Sequence, residues 1–176
     1  MHTLPDLKKL IADVPDHPKP GIVFKDFTPL LADPQGLALA VELMANPFRT
    51  ERIDAVLGAE SRGFIFGIAI AQALSAGFIP VRKAGKLPRK VRGVTYALEY
   101  GTDTLQMHED AVRPGARVLI VDDLLATGGT ARATIDLVGG LGADIVACAF
   151  LVELTFLGGR QKLGDTPVHA VLPYDD

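Results

Sequence analysis

The chain has 176 residues, of which 48% are apolar and 22% charged, and its formal net charge is −3. This length fits one domain with a substantial core, and the composition excludes a disordered chain. The mild negative charge argues against a nucleic-acid partner. The longest apolar run, residues 145–152, is too short to cross a bilayer, which takes about 20 residues. We therefore expect a single domain over residues 1–176 with neither a nucleic-acid nor a membrane partner.

Apolar spacing predicts an alternation of helices and strands along the chain. Asp33 and Pro34 resemble the start of a helix, and the prolines at positions 15, 18 and 20 require an extended or turning segment before it. The predicted elements, in chain order, are helices over residues 4–12 and 34–48, a strand over 53–58, a helix over 63–75, strands over 77–81, 95–100, 104–108 and 117–121, a helix over 129–141, and strands over 143–152 and 168–172.

These elements predict an α/β fold. Alternating strands and helices with near-continuous apolar strands indicate a mostly parallel sheet flanked by helices on both faces. Gly101-Thr102-Asp103 is a turn signal between two short strands, so we also expect an antiparallel hairpin. Ligands of such sheets bind beyond the carboxyl ends of the strands, and the candidate motifs are judged by whether they fall there.

The strongest motif follows the strand over residues 117–121. Asp122 and Asp123 come where that strand should end, and a loop of small and hydroxylic residues, 126–130, precedes a helix. Glycines in such a loop let the backbone approach a ligand, and the helix start favours a phosphate. The two carboxylates suit ribose hydroxyls or Mg²⁺. The alternative is an ordinary tight turn with a solvated acid pair.

Residues 121–130 resemble the phosphoribosyl diphosphate signature of type I phosphoribosyltransferases. The resemblance implies that Asp122 and Asp123 hold the ribose and that the next loop binds the 5-phosphate. It also implies a Mg²⁺ ion held mainly through the substrate, with Asp122 or Asp123 as its protein ligand. The residues assigned to the phosphate are Ala126, Thr127, Gly128, Gly129 and Thr130.

Six basic residues and no acid lie between positions 82 and 92. A solvated loop is the ordinary interpretation of such a run. The functional one is a mobile lid whose cations neutralise a diphosphate leaving group. Residues 82–88 are similar to the flexible catalytic loop of the adenine-specific members of the family, which implies a loop over about residues 82–94. Arg82 and Lys86 are then catalytic, and Arg82, Lys83 and Lys86 bind diphosphate.

The turn over residues 58–64 follows another predicted strand. Arg62 could clamp diphosphate oxygens there in a bidentate manner, although a capped helix with an exposed arginine is the plainer interpretation. In the family this turn is a diphosphate loop, often with a strained peptide bond. The resemblance therefore assigns Ser61 and Arg62 to diphosphate.

Residues 20–27 resemble the base-recognition segment of the same adenine-specific enzymes, which implies an N-terminal hood over about residues 1–32. Phe24 would stack on the base, and the backbone of Val23 and Lys25 would contact its edge. Leu154 matches a position that packs on the other face. Core packing is the alternative for Phe24 and Leu154. Lys25 departs from the pattern, because arginine is expected there and lysine lacks its planar fork.

Residues 98–101 read Leu-Glu-Tyr-Gly, as in the family. Attack by a ring nitrogen leaves an extra proton on the base, and a carboxylate beside the lid can remove it. Glu99 is the candidate for this catalytic role. The alternative is a solvent-facing strand residue without a function.

The resemblance as a whole implies transfer of the 5-phosphoribosyl group from 5-phosphoribosyl 1-diphosphate to adenine, giving AMP and diphosphate in purine salvage. It also implies a homodimer in which one subunit lends a basic residue to the other's site. The alternatives are transfer to hypoxanthine, guanine or xanthine, a regulator that binds phosphoribosyl diphosphate without turnover, and a structural domain with a chance motif.

The single cysteine bears on location. Cys148 cannot form an intrachain disulfide, which fits a reducing cytosol, and residues 1–10 lack the pattern of a signal peptide. We expect a cytoplasmic protein. Cys148 lies in an apolar run and is expected to be a small buried side chain rather than a catalytic thiol. The histidines lack metal-ligand spacing, so no zinc site is expected.

Overall fold

The computed structural model describes residues 3–17, 19–97 and 101–175. The chain forms two compact units, residues 1–43 and 44–176, and the predicted single domain with a hood over residues 1–32 stays a prediction. Single turns of 3₁₀ helix lie at Asn46–Phe48 and Thr155–Leu157. The helices are α1 (Leu4–Lys9), α2 (Thr28–Ala32), α3 (Pro34–Ala45), α4 (Gly63–Ala73), α5 (Gly129–Gly139) and α6 (Gly159–Lys162). The strands are β1 (Ala12–Pro15), β2 (Val23–Asp26), β3 (Ala55–Ala59), β4 (Gly77–Lys83), β5 (Val91–Ala97), β6 (Thr102–His108), β7 (Arg117–Leu125), β8 (Asp144–Leu154) and β9 (Val168–Tyr174).

The first unit contains a two-stranded antiparallel sheet that was not predicted. Strands β1 and β2 pair from Ala12 opposite Asp26 to Pro15 opposite Val23. The predicted helix over residues 4–12 is therefore too long, because the backbone of Ala12 belongs to the sheet. Its start is fixed by Thr3, whose backbone N–H and hydroxyl both donate to the Asp6 carboxylate.

The second unit is built on a seven-stranded sheet in the order β5-β6-β4-β3-β7-β8-β9. Strands β3, β4, β7, β8 and β9 run parallel, and β6 pairs antiparallel with both β4 and β5. The predicted α/β fold with a mostly parallel sheet and an antiparallel hairpin is confirmed. The hairpin is longer than predicted, since β5 starts at Val91 rather than Thr95.

Helices cover both faces of this sheet. Leu57 on β3 packs in one buried cluster with Leu137 and Val138 of α5. The next residue, Gly58, points the other way because side chains alternate across a strand. A β-carbon there would lie 2.6 Å from the carbonyl oxygen of Gly63, at the start of α4. Helices α4 and α5 therefore lie on opposite faces, as predicted.

The strands that carry the motifs are longer than predicted. Strand β7 continues to Leu125, because Asp122 still pairs with β8 at Phe150 and Leu125 pairs with Glu153. The acid pair therefore lies within a strand and not after it. The 82–94 segment is irregular only over residues 84–90, since positions 82–83 belong to β4 and 91–94 to β5. Its flexibility stays a prediction.

Cys148 lies in the middle of β8 and is fully buried. Burial raises the pKa of its thiol to about 12, so a reactive thiolate is disfavoured, and the expected buried position is confirmed. Across the described ranges 3–17, 19–97 and 101–175, no helix combines the length and apolar character needed to span a bilayer.

Candidate active site

The acid pair forms the centre of the site. Asp123 is only 4% exposed, and its carboxylate lies 2.7 Å from Nε of Arg62. Its backbone N–H donates to Oδ1 of Asp122 at 2.9 Å. A β-carbon on Gly63 would lie 2.9 Å from Oδ1 of Asp122, so only a glycine lets this turn approach so closely. The structure therefore brings the predicted diphosphate turn and the predicted ribose acids together.

The two carboxylates differ in how well their charge is compensated. Burial, followed by the negative charge of Asp123, raises the pKa of Asp122 well above its usual range, and the positive charge of Arg62 only partly opposes this. Asp123 holds the direct ion pair with Arg62. A hydroxyl donor or a cation that arrived at Asp122 would thus relieve an existing electrostatic cost.

The predicted phosphate loop connects β7 to α5 at the carboxyl edge of the sheet. Gly128 has a φ of +78° and is the N-cap residue of α5, whose first residue is Gly129. Its carbonyl accepts from the backbone N–H of Arg132 at 2.9 Å, which starts the helical hydrogen bonding. The N–H groups of a first helical turn point along the axis towards the loop, and the helix dipole favours an anion there. The geometry suits a phosphate.

The basic segment is held by one largely buried carboxylate. Glu60 follows β3, and its side chain is 9% exposed. It accepts hydrogen bonds from Nζ of Lys86 at 2.7 Å, the backbone N–H of Lys83 at 2.9 Å and Nε of Arg82 at 3.2 Å. The ammonium of Lys83 is paired with Asp103 at 3.1 Å. Two of the predicted diphosphate cations, Arg82 and Lys86, thus bind an acid that was not itself predicted to have a role.

The charge of Glu60 is stabilised despite its burial. Burial alone would raise the pKa of this carboxyl, but the hydrogen bonds from Lys86 and Lys83 and the positive charges of Lys86 and Arg82 outweigh it and lower the pKa. The peptide bond between Glu60 and Ser61 is cis. An arriving diphosphate would compete with Glu60 for the same cations.

The end of β5 lies beside the phosphate loop. A β-carbon on Gly129 would be 3.8 Å from Cδ2 of Tyr96 and 4.0 Å from the carbonyl oxygen of Ala97. The proposed proton acceptor, Glu99, lies outside the described residues, two positions further along the chain. The hairpin thus brings the end of β5, at Tyr96 and Ala97, next to the phosphate loop.

Comparison with known proteins decides the family. A model of the phosphoribosyl transferase domain matches residues 27–166, which is most of the chain. The chain belongs to the phosphoribosyltransferase family. The family resemblance inferred from the sequence motifs is confirmed.

The similar proteins compared with this phosphoribosyltransferase are all adenine phosphoribosyltransferases. An adenine phosphoribosyltransferase of Nitrosococcus oceani is 55% identical over 168 residues, covering 96% of this chain and 98% of the relative. The crystal structure of adenine phosphoribosyltransferase from Rhodothermus marinus has a TM-score of 0.92 and 56% identity, covering 97% of this chain and 98% of that one. The Saccharomyces cerevisiae enzyme, solved with D-2,5-dideoxy-2,5-imino-altritol 1,6-bisphosphate and adenine, has a TM-score of 0.91 and 41% identity over 96% of this chain and 98% of its own.

The predicted base-site residues of this phosphoribosyltransferase lie in both units. Val23, Phe24 and Lys25 lie on β2 in the first unit, and Leu154 ends β8 in the second. Nζ of Lys25 lies 2.8 Å from the carboxylate of Asp13. Their roles in base recognition stay predictions.

Sequence reasoning missed two features of this phosphoribosyltransferase site. One is the anchoring role of Glu60. The sequence could have indicated it, because Glu60 is an acid at the end of one strand and the segment after the next strand carries basic residues and no acid. The other is the contact between the phosphate loop and Gly159, where a β-carbon would lie only 2.2 Å from the carbonyl oxygen of Ala126. No local pattern indicates this contact, because it joins segments more than 30 residues apart.

Proposed function

We infer that this chain transfers the 5-phosphoribosyl group from 5-phosphoribosyl 1-diphosphate to adenine, releasing AMP and diphosphate. The observation that carries the inference is the continuous arrangement of the Asp122–Asp123 pair, the phosphate loop and the Arg62 turn at one sheet edge. The two acids that would bind the ribose hydroxyls lie between the loop that would bind the phosphate and the turn that carries Arg62. The names of the relatives support adenine as the acceptor.

In this proposal each group of site residues acts on one part of the substrate. The loop over residues 126–130 binds the 5-phosphate, and Asp122 and Asp123 accept hydrogen bonds from the ribose hydroxyls. Arg62, Arg82 and Lys86 neutralise the diphosphate, whose charge grows as the ribose carbon–oxygen bond breaks. The ring nitrogen of adenine forms the new bond to that carbon, and Glu99 accepts the proton that the base loses.

The base-site assignments belong to the same proposal. The ring of Phe24 stacks on adenine, the backbone of Val23 and Lys25 contacts its edge, and Leu154 packs on the opposite ring face. Lysine in place of the expected arginine lacks the planar fork, so the side chain of Lys25 contributes charge rather than bidentate recognition. Its ammonium lies 2.8 Å from the carboxylate of Asp13.

Mg²⁺ fits the donor set of the site. Within residues 3–17, 19–97 and 101–175 no group of three or more His, Cys, Asp or Glu side chains could hold a metal by itself. Mg²⁺ usually retains water and binds through one or two carboxylates plus substrate oxygens. Asp122, whose charge is poorly compensated, is the better candidate ligand of the acid pair. When bound with the diphosphate, Mg²⁺ would neutralise part of the leaving-group charge.

A base panel tests the proposed function. The chain is incubated with phosphoribosyl diphosphate, Mg²⁺ and one purine at a time, and nucleotide and diphosphate are both measured. We expect AMP and diphosphate in equal amounts with adenine, and activity that is lost on chelation and restored by added Mg²⁺. Turnover confined to hypoxanthine, guanine or xanthine would remove adenine as the acceptor. Binding of phosphoribosyl diphosphate with no product would indicate the non-catalytic regulator instead.

We propose further that two copies of the chain form a homodimer through α4. This helix is apolar on almost every side, and it buries Phe66 and Ile70 against the sheet. Ile65 and Ile68 are nevertheless 43% and 48% exposed, which leaves an apolar face for a second copy. The cytoplasmic location stays a prediction.

Sedimentation velocity tests the homodimer. We expect the wild-type chain at micromolar concentration to sediment at twice the mass of one chain. Ile68→Glu places a charge on the proposed contact and should shift the population to single chains. Leu157→Glu serves as the matched control, because Leu157 is a similarly exposed apolar residue outside α4. A wild-type chain that sediments as a monomer, or dissociation by the control alone, would contradict the proposal.

A further inference from the structure

The phosphate loop rests on a segment that has no assigned role. A β-carbon on Gly159 would lie 2.2 Å from the carbonyl oxygen of Ala126, and one on Gly128 would lie 2.6 Å from the carbonyl oxygen of Gly159. These distances are too short for any side chain. The main chains of the loop and of the start of α6 are therefore in direct contact. Helix α6, residues Gly159–Lys162, supports the loop and is called its floor below.

The floor is fixed by an ion pair whose carboxylate is buried and whose guanidinium is half exposed. Glu153 is 4% exposed, and both its oxygens are bound by Arg160, from Nε at 2.6 Å and from Nη2 at 2.7 Å. The remaining terminal nitrogen of Arg160 donates to the carbonyl of Val168 at 3.0 Å. One guanidinium thus ties the start of α6 to β8 and β9. Arg160 comes directly after Gly159 in the sequence.

The same pair is in register with the last residue of β7. Glu153 on β8 pairs with Leu125 on β7, immediately before Ala126. The β-carbon position of Gly159 is also 3.0 Å from Cδ1 of Leu125. The ion pair, the floor and the entry to the loop therefore form one contiguous packed group.

Lysine cannot replace the arginine in this arrangement. A guanidinium fork satisfies both carboxylate oxygens in parallel and has a further N–H for the carbonyl of Val168, whereas an ammonium is a single point donor. A buried carboxylate that loses part of this pairing is costly, and the local structure shifts to solvate it. The expected shift of α6 is transmitted to the loop through the contact at Gly159.

We propose that Arg160 and Gly159 are positioning residues that hold the phosphate loop in the geometry that binds the 5-phosphate. This inference rests on the proposed function, which assigns that loop to the 5-phosphate. It predicts a selective effect on the end of the substrate that carries the 5-phosphate. The diphosphate end is bound by Arg62 and the basic segment, which do not depend on the floor.

Calorimetry with two partial ligands tests the proposal on the full chain. Ribose 5-phosphate probes the loop, and diphosphate with Mg²⁺ probes the other end of the site. We expect Arg160→Lys to weaken ribose 5-phosphate binding about tenfold and to leave diphosphate binding within about twofold. Gly159→Ala should show the same selectivity. Arg52→Lys is the control, because Arg52 also contacts a single carboxylate, that of Asp54, through two nitrogens.

The outcomes separate this proposal from the proposed function. Equal weakening of both ligands, or unchanged ribose 5-phosphate binding by Arg160→Lys, would show that the floor is merely structural and would overturn the positioning role. Should Gly159→Ala fail to fold, Arg160→Lys decides. Failure of the wild-type chain to bind phosphoribosyl diphosphate would instead overturn the proposed function, and the positioning role with it.

Discussion

Asp123→Asn is expected to lower kcat/KM for phosphoribosyl diphosphate about 100-fold, because it removes a charged hydrogen-bond acceptor from the ribose site. The side chain is buried and forms an ion pair with Arg62 at 2.7 Å. The amide keeps the shape of the carboxylate but cannot balance the guanidinium. Two interactions of the site are therefore lost in one substitution, one with the ribose and one that orients Arg62 towards the diphosphate.

The fold should tolerate this substitution. The side chain of Arg62 is 50% exposed, so water can solvate its charge when the partner is neutral. The melting temperature should stay within about 5 °C of the wild-type value. Asp144→Asn is the control, since Asp144 pairs with Arg117 at the amino end of its strand. Unchanged kinetics in Asp123→Asn, or an equal loss in the control, would refute the assigned role.

The part of the site that the sequence predicts best is contiguous in the chain. Strand β7 with its acid pair, the phosphate loop and α5 follow one another, so local propensities and the chemistry of Asp122 to Thr130 are enough to predict them. Even here the strand end was wrong. Pairing of Asp122 and Leu125 with β8 extends β7, and that pairing depends on tertiary contacts that no local pattern reveals.

The parts that were missed depend on distant residues. Strands β1 and β2 have four residues each and are held by pairing with each other. Neither is long enough to show a clear alternation of apolar and polar residues. Glu60 and Lys86 are 26 residues apart, and their contact requires β3 and β4 to be neighbours. The contact of Gly159 with Ala126 requires the chain to return, after β8, to the end of β7. Glycine and glutamate at these positions have meaning only once the sheet order is known.

The basic segment illustrates how sequence and structure complement each other. Its charge predicts a diphosphate partner, and the structure adds that Glu60 already gathers Arg82 and Lys86. Repulsion among the cations is thereby reduced before substrate arrives, and each cation has a defined position from which to move. A segment of positive charge without such an acid would be less ordered.

Glu99→Gln is expected to lower kcat about 100-fold or more while the KM for both substrates changes by less than about threefold, because proton removal assists the transition state and not binding. Ala97, two positions before Glu99 in the sequence, is the last residue of β5. The carbonyl of Ala97 is 4.0 Å from the β-carbon position of Gly129 in the phosphate loop. Strand β5, which precedes Glu99 in the chain, therefore ends beside the loop to which the proposed function assigns the 5-phosphate.

The pH dependence distinguishes a proton acceptor from a positioning group. A general base must be ionised, so wild-type kcat should fall as the pH drops through its pKa, whereas Glu99→Gln should lack that acidic limb. Glu109→Gln is the matched control, because Glu109 is an exposed glutamate directly after β6, at the end of the hairpin away from its turn. An equal loss in kcat and substrate affinity with the acidic limb retained would reduce Glu99 to a positioning role, and the proton would then need another acceptor.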